Sequence, residues 1–163
     1  MRITCIAFLL LWFTITPLYA DEECLLHCFA IPEGEASVIV PPQSTVLIDT
    51  GYFGNHADII SYFNKESITH IDHLIITHAH PDHYGGALKL IENFPVKHIY
   101  DHGHNLSAQF IVKESRVRYR KHIRERKNYH VLYKGKSIST DDLLIEALWP
   151  EQTRQSYGTN NNS

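Results

Sequence analysis

The chain has 163 residues, the length of one domain, and 44% of them are hydrophobic against 20% charged. That balance excludes both a disordered chain and one wholly embedded in a membrane. Fifteen Lys and Arg stand against eighteen Asp and Glu for a formal charge of −3, so bulk charge does not hold this protein to nucleic acid.

Residues 1–20 are predicted to be a signal peptide. Arg2 supplies a basic start, residues 3–13 an apolar stretch, and Pro17-Leu18-Tyr19-Ala20 leads into Asp21-Glu22-Glu23. A small residue before an acidic start predicts cleavage after Ala20. The apolar run is shorter than the roughly 20 residues of a spanning helix. The expected location is therefore secreted or periplasmic, with no membrane span left in the domain of residues 21–163. Of the three cysteines, Cys24 and Cys28 remain. On one strand they sit about 13 Å apart at about 3.3 Å per residue, beyond the roughly 7 Å that a disulfide spans. They read as two small buried hydrophobes, and a disulfide would require a bend at Cys24.

Residues 25–31, 36–40 and 45–49 read as three strands, separated by Glu33-Gly34-Glu35 and by Pro41-Pro42-Gln43-Ser44. Short apolar runs divided by turn residues predict an antiparallel meander. Residues 56–64 place Ala57, Ile60 and Phe63 on one helix face, residues 73–77 form a buried strand, and residues 84–94 form a helix that Pro95 stops. Residues 96–100 are a strand, 107–126 a long polar helix seated by Tyr119 and Ile123, and 129–133 and 143–149 are strands. The meander thus gives way to β-α-β-α-β. The tail from Glu151 is polar.

The chemistry sits in Thr77-His78-Ala79-His80-Pro81-Asp82-His83-Tyr84-Gly85-Gly86. Twelve histidines in a chain this size already raise a metal hypothesis, and here three imidazoles and a carboxylate fall between a strand and a helix. A turn at a strand end directs His78 and His80 to one side, and Asp82 and His83 open the next helix. Nitrogen and carboxylate donors suit zinc, and also manganese or iron. Gly85-Gly86 lets backbone pass close to the site.

This segment resembles the metallo-β-lactamase superfamily, whose motif His-x-His-x-Asp-His stands here as His78, His80, Asp82 and His83. Val46-Leu47-Ile48-Asp49-Thr50-Gly51 resembles the family's LIDTG strand, and Ile71–Thr77 its approach to the motif. Gly158-Thr159-Asn160-Asn161-Asn162-Ser163 resembles the NNNS element of the ComEC-like competence branch and its stand-alone secreted relatives. The resemblance implies an α/β (α+β) fold, the αββα sandwich, of which this chain carries the N-terminal half only. It also implies that His78 and His80 hold a first metal and Asp82 and His83 a second. One or two Zn2+ ions are expected, with Mn2+ or Fe as alternatives. A metal-bound hydroxide is the implied nucleophile, oriented by Asp82, and the implied bond in this branch is a phosphodiester, with DNA as candidate substrate. Two departures follow from the same comparison. Trp149-Pro150-Glu151-Gln152-Thr153 lacks the His that the superfamily usually places there, and the Gly-Asp and later His expected beyond NNNS are not present, so the chain is expected to be truncated.

Three further residues are site-edge candidates. Asp49 reads first as a hydrogen-bond anchor of the metal loop, with direct ligation as the alternative, and His102 and His104 as parts of a solvated loop, with a substitute ligand or substrate contact as the alternative. Residues 113–127 hold eight Lys or Arg and two Glu. Such a run is usually a solvated face; the alternative is a phosphate-tracking patch with Arg116, Arg118 and Arg120 as nucleic-acid contacts. His56 reads as a helix N-terminal residue, and His70, His73, His98, His122 and His130 as ordinary surface or core histidines. Three functions compete: a secreted phosphodiesterase, a lactamase or ester hydrolase on the same fold, and a non-catalytic metal- or DNA-binding remnant.

Overall fold

A computed structural model describes residues 23–103 and 113–150. The segment predicted as a signal peptide, His104 and the NNNS ending lie outside the described residues. Three strands open the fold: β1 (Leu25–Cys28), β2 (Ser37–Val40) and β3 (Val46–Ile48). They pair antiparallel, with Leu26 opposite Ile39 and Val38 opposite Leu47, as the meander pattern predicts. Helix α1 (His56–Lys65) then crosses to β4 (Ile71–Ile75), which pairs parallel to β3. Strand β5 (Val96–Asp101) follows in parallel, and β6 (Tyr129–Val131) lies parallel beyond it. The six strands stand in chain order across one sheet, and β7 (Ser137–Ser139) and β8 (Leu144–Glu146) form a separate hairpin.

The register explains the core. Val38, Leu47, Leu74 and Ile99 form one row across β2 to β5 and are fully buried. They pack with Ile59 and Phe63 of α1 and with Ala87 and Leu90 of α3 (Ala87–Asn93). Aliphatic side chains at every second strand position meet those one helical turn apart, which is the pairing of periods that buries both elements. The opposite face carries a smaller cluster, in which Val46 and Ile75 meet Ile138 of the β7–β8 hairpin.

Several expectations change in detail. The helix expected over residues 84–94 is broken into α2 (Pro81–Tyr84) and α3, because the chain bends at Gly85-Gly86. The described part of the polar helix is α4 (Lys113–Tyr119), and its last turn, Arg120–Arg124, widens to a π-helix. Tyr119 and Ile123 seat it, and both are buried. Strand β7 carries the single buried residue Ile138 between exposed serines, too short an alternation to read beforehand. Cys24 and Cys28 are both free and exposed, not buried. They lie on or next to β1, the edge strand of the sheet among the described residues, whose Leu25 and Leu26 are also exposed.

Candidate metal centre

Parallel pairing brings the carboxyl ends of β3, β4 and β5 to one edge, the edge at which open α/β sheets place their sites. Asp49-Thr50 and Ile76-Thr77-His78 follow their strands there, and Asp101 ends β5 with His102 next. Past β4 the chain turns, and His80 adopts an extended conformation (φ −94°, ψ 146°) as the residue that caps α2. Pro81 takes the first helical position, where its missing N–H costs nothing. Asp82 and His83 follow on the same turn.

This geometry sets the four motif residues side by side. The His78 ring lies 4.8 Å from that of His80 and 3.9 Å from that of His83, centroid to centroid. His83 Nε2 lies 3.6 Å from the Asp82 carboxylate. Burial, then the neighbouring His83 and His80, lowers the His78 pKa to about 4, so at neutral pH its lone pair is open to a cation. Burial lowers His80 in the same way.

Beneath the motif lies Asp49, fully buried at a left-handed φ of 55°, a conformation that Asp tolerates better than most side chains. Its Oδ1 accepts the Thr77 N–H at 2.8 Å. Its Oδ2 accepts the Thr77 hydroxyl and His83 Nδ1, the latter at 2.8 Å. Burial pulls His83 down, but the hydrogen bond and charge of Asp49, with Asp82 and Glu35, more than offset it and raise its pKa. With Nδ1 donating to Asp49, Nε2 is the His83 nitrogen left on the Asp82 side, the one a metal would take. Asp49 thus ties Thr77 and His83 together through hydrogen bonds.

Backbone crowding explains the glycines. A Cβ on Gly86 would stand 2.5 Å from the Thr50 carbonyl oxygen, and one on Gly85 2.4 Å from that of Pro81. Gly34, in the β1–β2 turn, has φ +89° and would place a Cβ 1.9 Å from the Asp82 carbonyl oxygen. This turn also brings in Glu35, which in the sequence reads only as part of a turn. Glu35, Asp49 and His83 each place a donor atom within 4.8 Å of the others. Nothing local signals Glu35, because its approach depends on the hairpin folding over α2.

His102 is buried at the same edge, close enough to His78 to help lower its pKa. Its neighbour Asp101, also buried, accepts from Tyr119, Arg124 and Tyr129. Arg118 and Arg120 are exposed on the basic helix, and the side chain of Arg116 lies outside the described residues.

A family model described as the metallo-beta-lactamase superfamily matches residues 33–153. A search of curated proteins finds no match. Among solved structures, MEM-A1, a subclass B3 metallo-beta-lactamase from a soil metagenome library, aligns at TM-score 0.56 and 14% identity over 74% of this chain and 48% of its own. Rm3 metallo-beta-lactamase aligns at 0.54 and 15% over 73% and 46%. A chemotaxis sensor, ODP, studied as a peroxy diiron species, aligns at 0.51 and 23% over 76% and 48%. At these identities the likeness is one of fold, and the chain spans about half the length of these relatives.

Proposed function

Because the chain belongs to the metallo-β-lactamase superfamily, a superfamily generally of metal-dependent hydrolases, we propose that it is a metallohydrolase whose metal is held by His78, His80, Asp82 and His83. The observation that carries this reading is three imidazoles and a carboxylate side by side on one loop, with His78 neutral at pH 7. Such a nitrogen and oxygen donor set fits zinc first, and manganese or iron next. A metal held there lowers the pKa of water and polarises the bond to be cleaved. The chain's own groups do the rest. Asp49 fixes the His83 tautomer, and Thr77 ties Asp49 to the loop. Asp82, partly exposed beside His83, is placed to orient a water.

For the substrate we propose a phosphodiester, with DNA as the polymer, in a secreted or periplasmic setting of the ComEC-like kind. Exposed Arg118, Arg120 and Lys121 on the helical segment after β5 support it, since phosphates are steered by a local field even when net charge is slightly negative. Among the described residues no helix is long and apolar enough to cross a membrane.

The test is hydrolysis of bis(4-nitrophenyl) phosphate and of single-stranded DNA with added Zn2+, Mn2+ or Fe2+, beside nitrocefin. Phosphodiester turnover abolished by chelator and restored by metal is the expected result. Turnover of nitrocefin alone overturns it in favour of a lactamase. Metal binding with no hydrolysis overturns it in favour of a metal- or DNA-binding protein.

A further inference from the structure

A second set of histidines gathers away from the loop, on the sheet face opposite α1 and α3. His73 of β4 stands directly across from His98 of β5, and Tyr100 of β5 directly across from His130 of β6. The His73 and His98 rings stack at 5.5 Å and 16°. Those of His98 and His130 lie 5.1 Å apart, and His98 Nδ1 comes within 3.0 Å of His130 Nε2. The Tyr100 hydroxyl sits 3.2 Å from His73 Nδ1 and holds that ring in place. Each of these residues alone is an ordinary strand side chain; parallel pairing of three strands puts them side by side.

We propose that His98 and His130 form a separate site for a borderline divalent cation (Cu2+, Ni2+ or Zn2+), walled by His73 and Tyr100. Two nitrogens bound to one such ion at about 2.0–2.1 Å lie about 2.9–3.4 Å apart, so the present spacing already matches a ligand pair. The rings come from adjacent strands of a continuous sheet, so little ordering is needed to bring them together. On binding, the ring that donates the shared hydrogen moves it to its other nitrogen through solvent, and both facing lone pairs turn to the ion. Burial and the adjacent His98 lower the His73 pKa, which limits cationic repulsion from that side. Solvent completes the coordination on the open side, so the site binds a cation without the closed shell of a structural zinc site. Imidazole donors with open positions select copper, nickel and zinc over magnesium or calcium.

The experiment is a Cu2+ and Ni2+ titration of the full chain by calorimetry, together with His98→Gln/His130→Gln and, separately, His78→Ala/His80→Ala. The expected result is that H98Q/H130Q loses one bound equivalent that H78A/H80A retains. Imidazole 15N spectra of the unaltered chain provide a readout that needs no variant: substoichiometric Cu2+ should broaden the His98 and His130 resonances. Magnesium should leave them unchanged. If H98Q/H130Q keeps its full stoichiometry, or if those two resonances stay sharp at saturating Cu2+, the inference is overturned, whatever the loop binds.

Discussion

Asp49 divides its two oxygens between tasks, and this makes its substitution informative. Oδ1 is committed to the Thr77 N–H, so in Asp49→Asn the amide oxygen stays there and the NH2 group faces His83 Nδ1. That ring must then accept at Nδ1 and carry its hydrogen on Nε2, the wrong tautomer for a ligand. We expect Asp49→Asn to weaken metal affinity about 10–100-fold, the usual effect of losing a carboxylate behind a ligating His. Metal titration measures it, and unchanged affinity would show that Asp49 does not set the tautomer. Asp101 makes a different prediction. Burial alone would raise its pKa, but Arg124, Tyr129 and Tyr119 more than offset that and hold it below the ordinary 3.8. The unfolded chain therefore binds the proton more readily, so this stabilisation is complete above about pH 4 and fades as pH falls through the folded value. Asp101→Asn should cost about 3–5 kcal/mol at pH 7 by leaving Arg124 buried beside a neutral amide. Urea unfolding should find the gap between the two proteins narrowing below pH 4; a gap that ignores pH would remove Asp101 from the acid response.

At the scale of elements, the β1–β2 turn works as a clamp on the metal loop. Glu35 N–H donates to the Asp82 carbonyl at 3.3 Å, and Gly51 N–H to that of Glu35 at 2.9 Å. Gly34→Ala must move either the turn or α2, since its Cβ would overlap the Asp82 backbone. The expected cost is about 1–3 kcal/mol, with weaker metal binding. Gly135→Ala is the control: φ is also positive, at +82°, but nothing lies within 4 Å. It should lose stability through strain alone and leave metal affinity intact. If both variants bind metal as the parent does, the clamp has no part in the site. The clamp itself is not written in adjacent residues. The meander, the parallel β-α-β-α-β run and the motif loop were legible because each is written in adjacent residues: apolar runs, turn residues, a strand followed by His-x-His-x-Asp-His. Asp49 was legible as a site-edge residue because its strand ends where the motif strand ends. Glu35 and the His73–His98–His130 row were not, because they depend on which strands become neighbours and in what register. The exposure of Cys24 and Cys28 was hidden for the same reason, since an edge strand and an interior strand look alike in sequence.

For the whole molecule, charge separates a structural role for the basic helix from a recognition role. Net charge is −3, so any attraction for a polyanion must come from a local patch and must fade quickly with salt. The helical segment after β5 splits its cations between two tasks. Arg124 turns inward, its Nε 2.7 Å from Asp101, and its guanidinium stacks over Tyr119 at 5.6 Å. Arg118 and Arg120 face solvent, because Tyr119 and Ile123 fix which side of the segment meets the sheet. If the outward cations meet phosphates, each contributes about 0.7 to the slope of log affinity against log salt on a single strand. Arg118→Ser/Arg120→Ser should then lower that slope by about 1.4 in fluorescence anisotropy with labelled single-stranded DNA, with the melting temperature unchanged. Arg124→Ser should do the reverse, destabilising the fold while leaving the slope of the surviving folded protein as it was. Equal slopes in parent and Arg118→Ser/Arg120→Ser would assign those arginines to solvation and return the question of substrate to the metal loop alone.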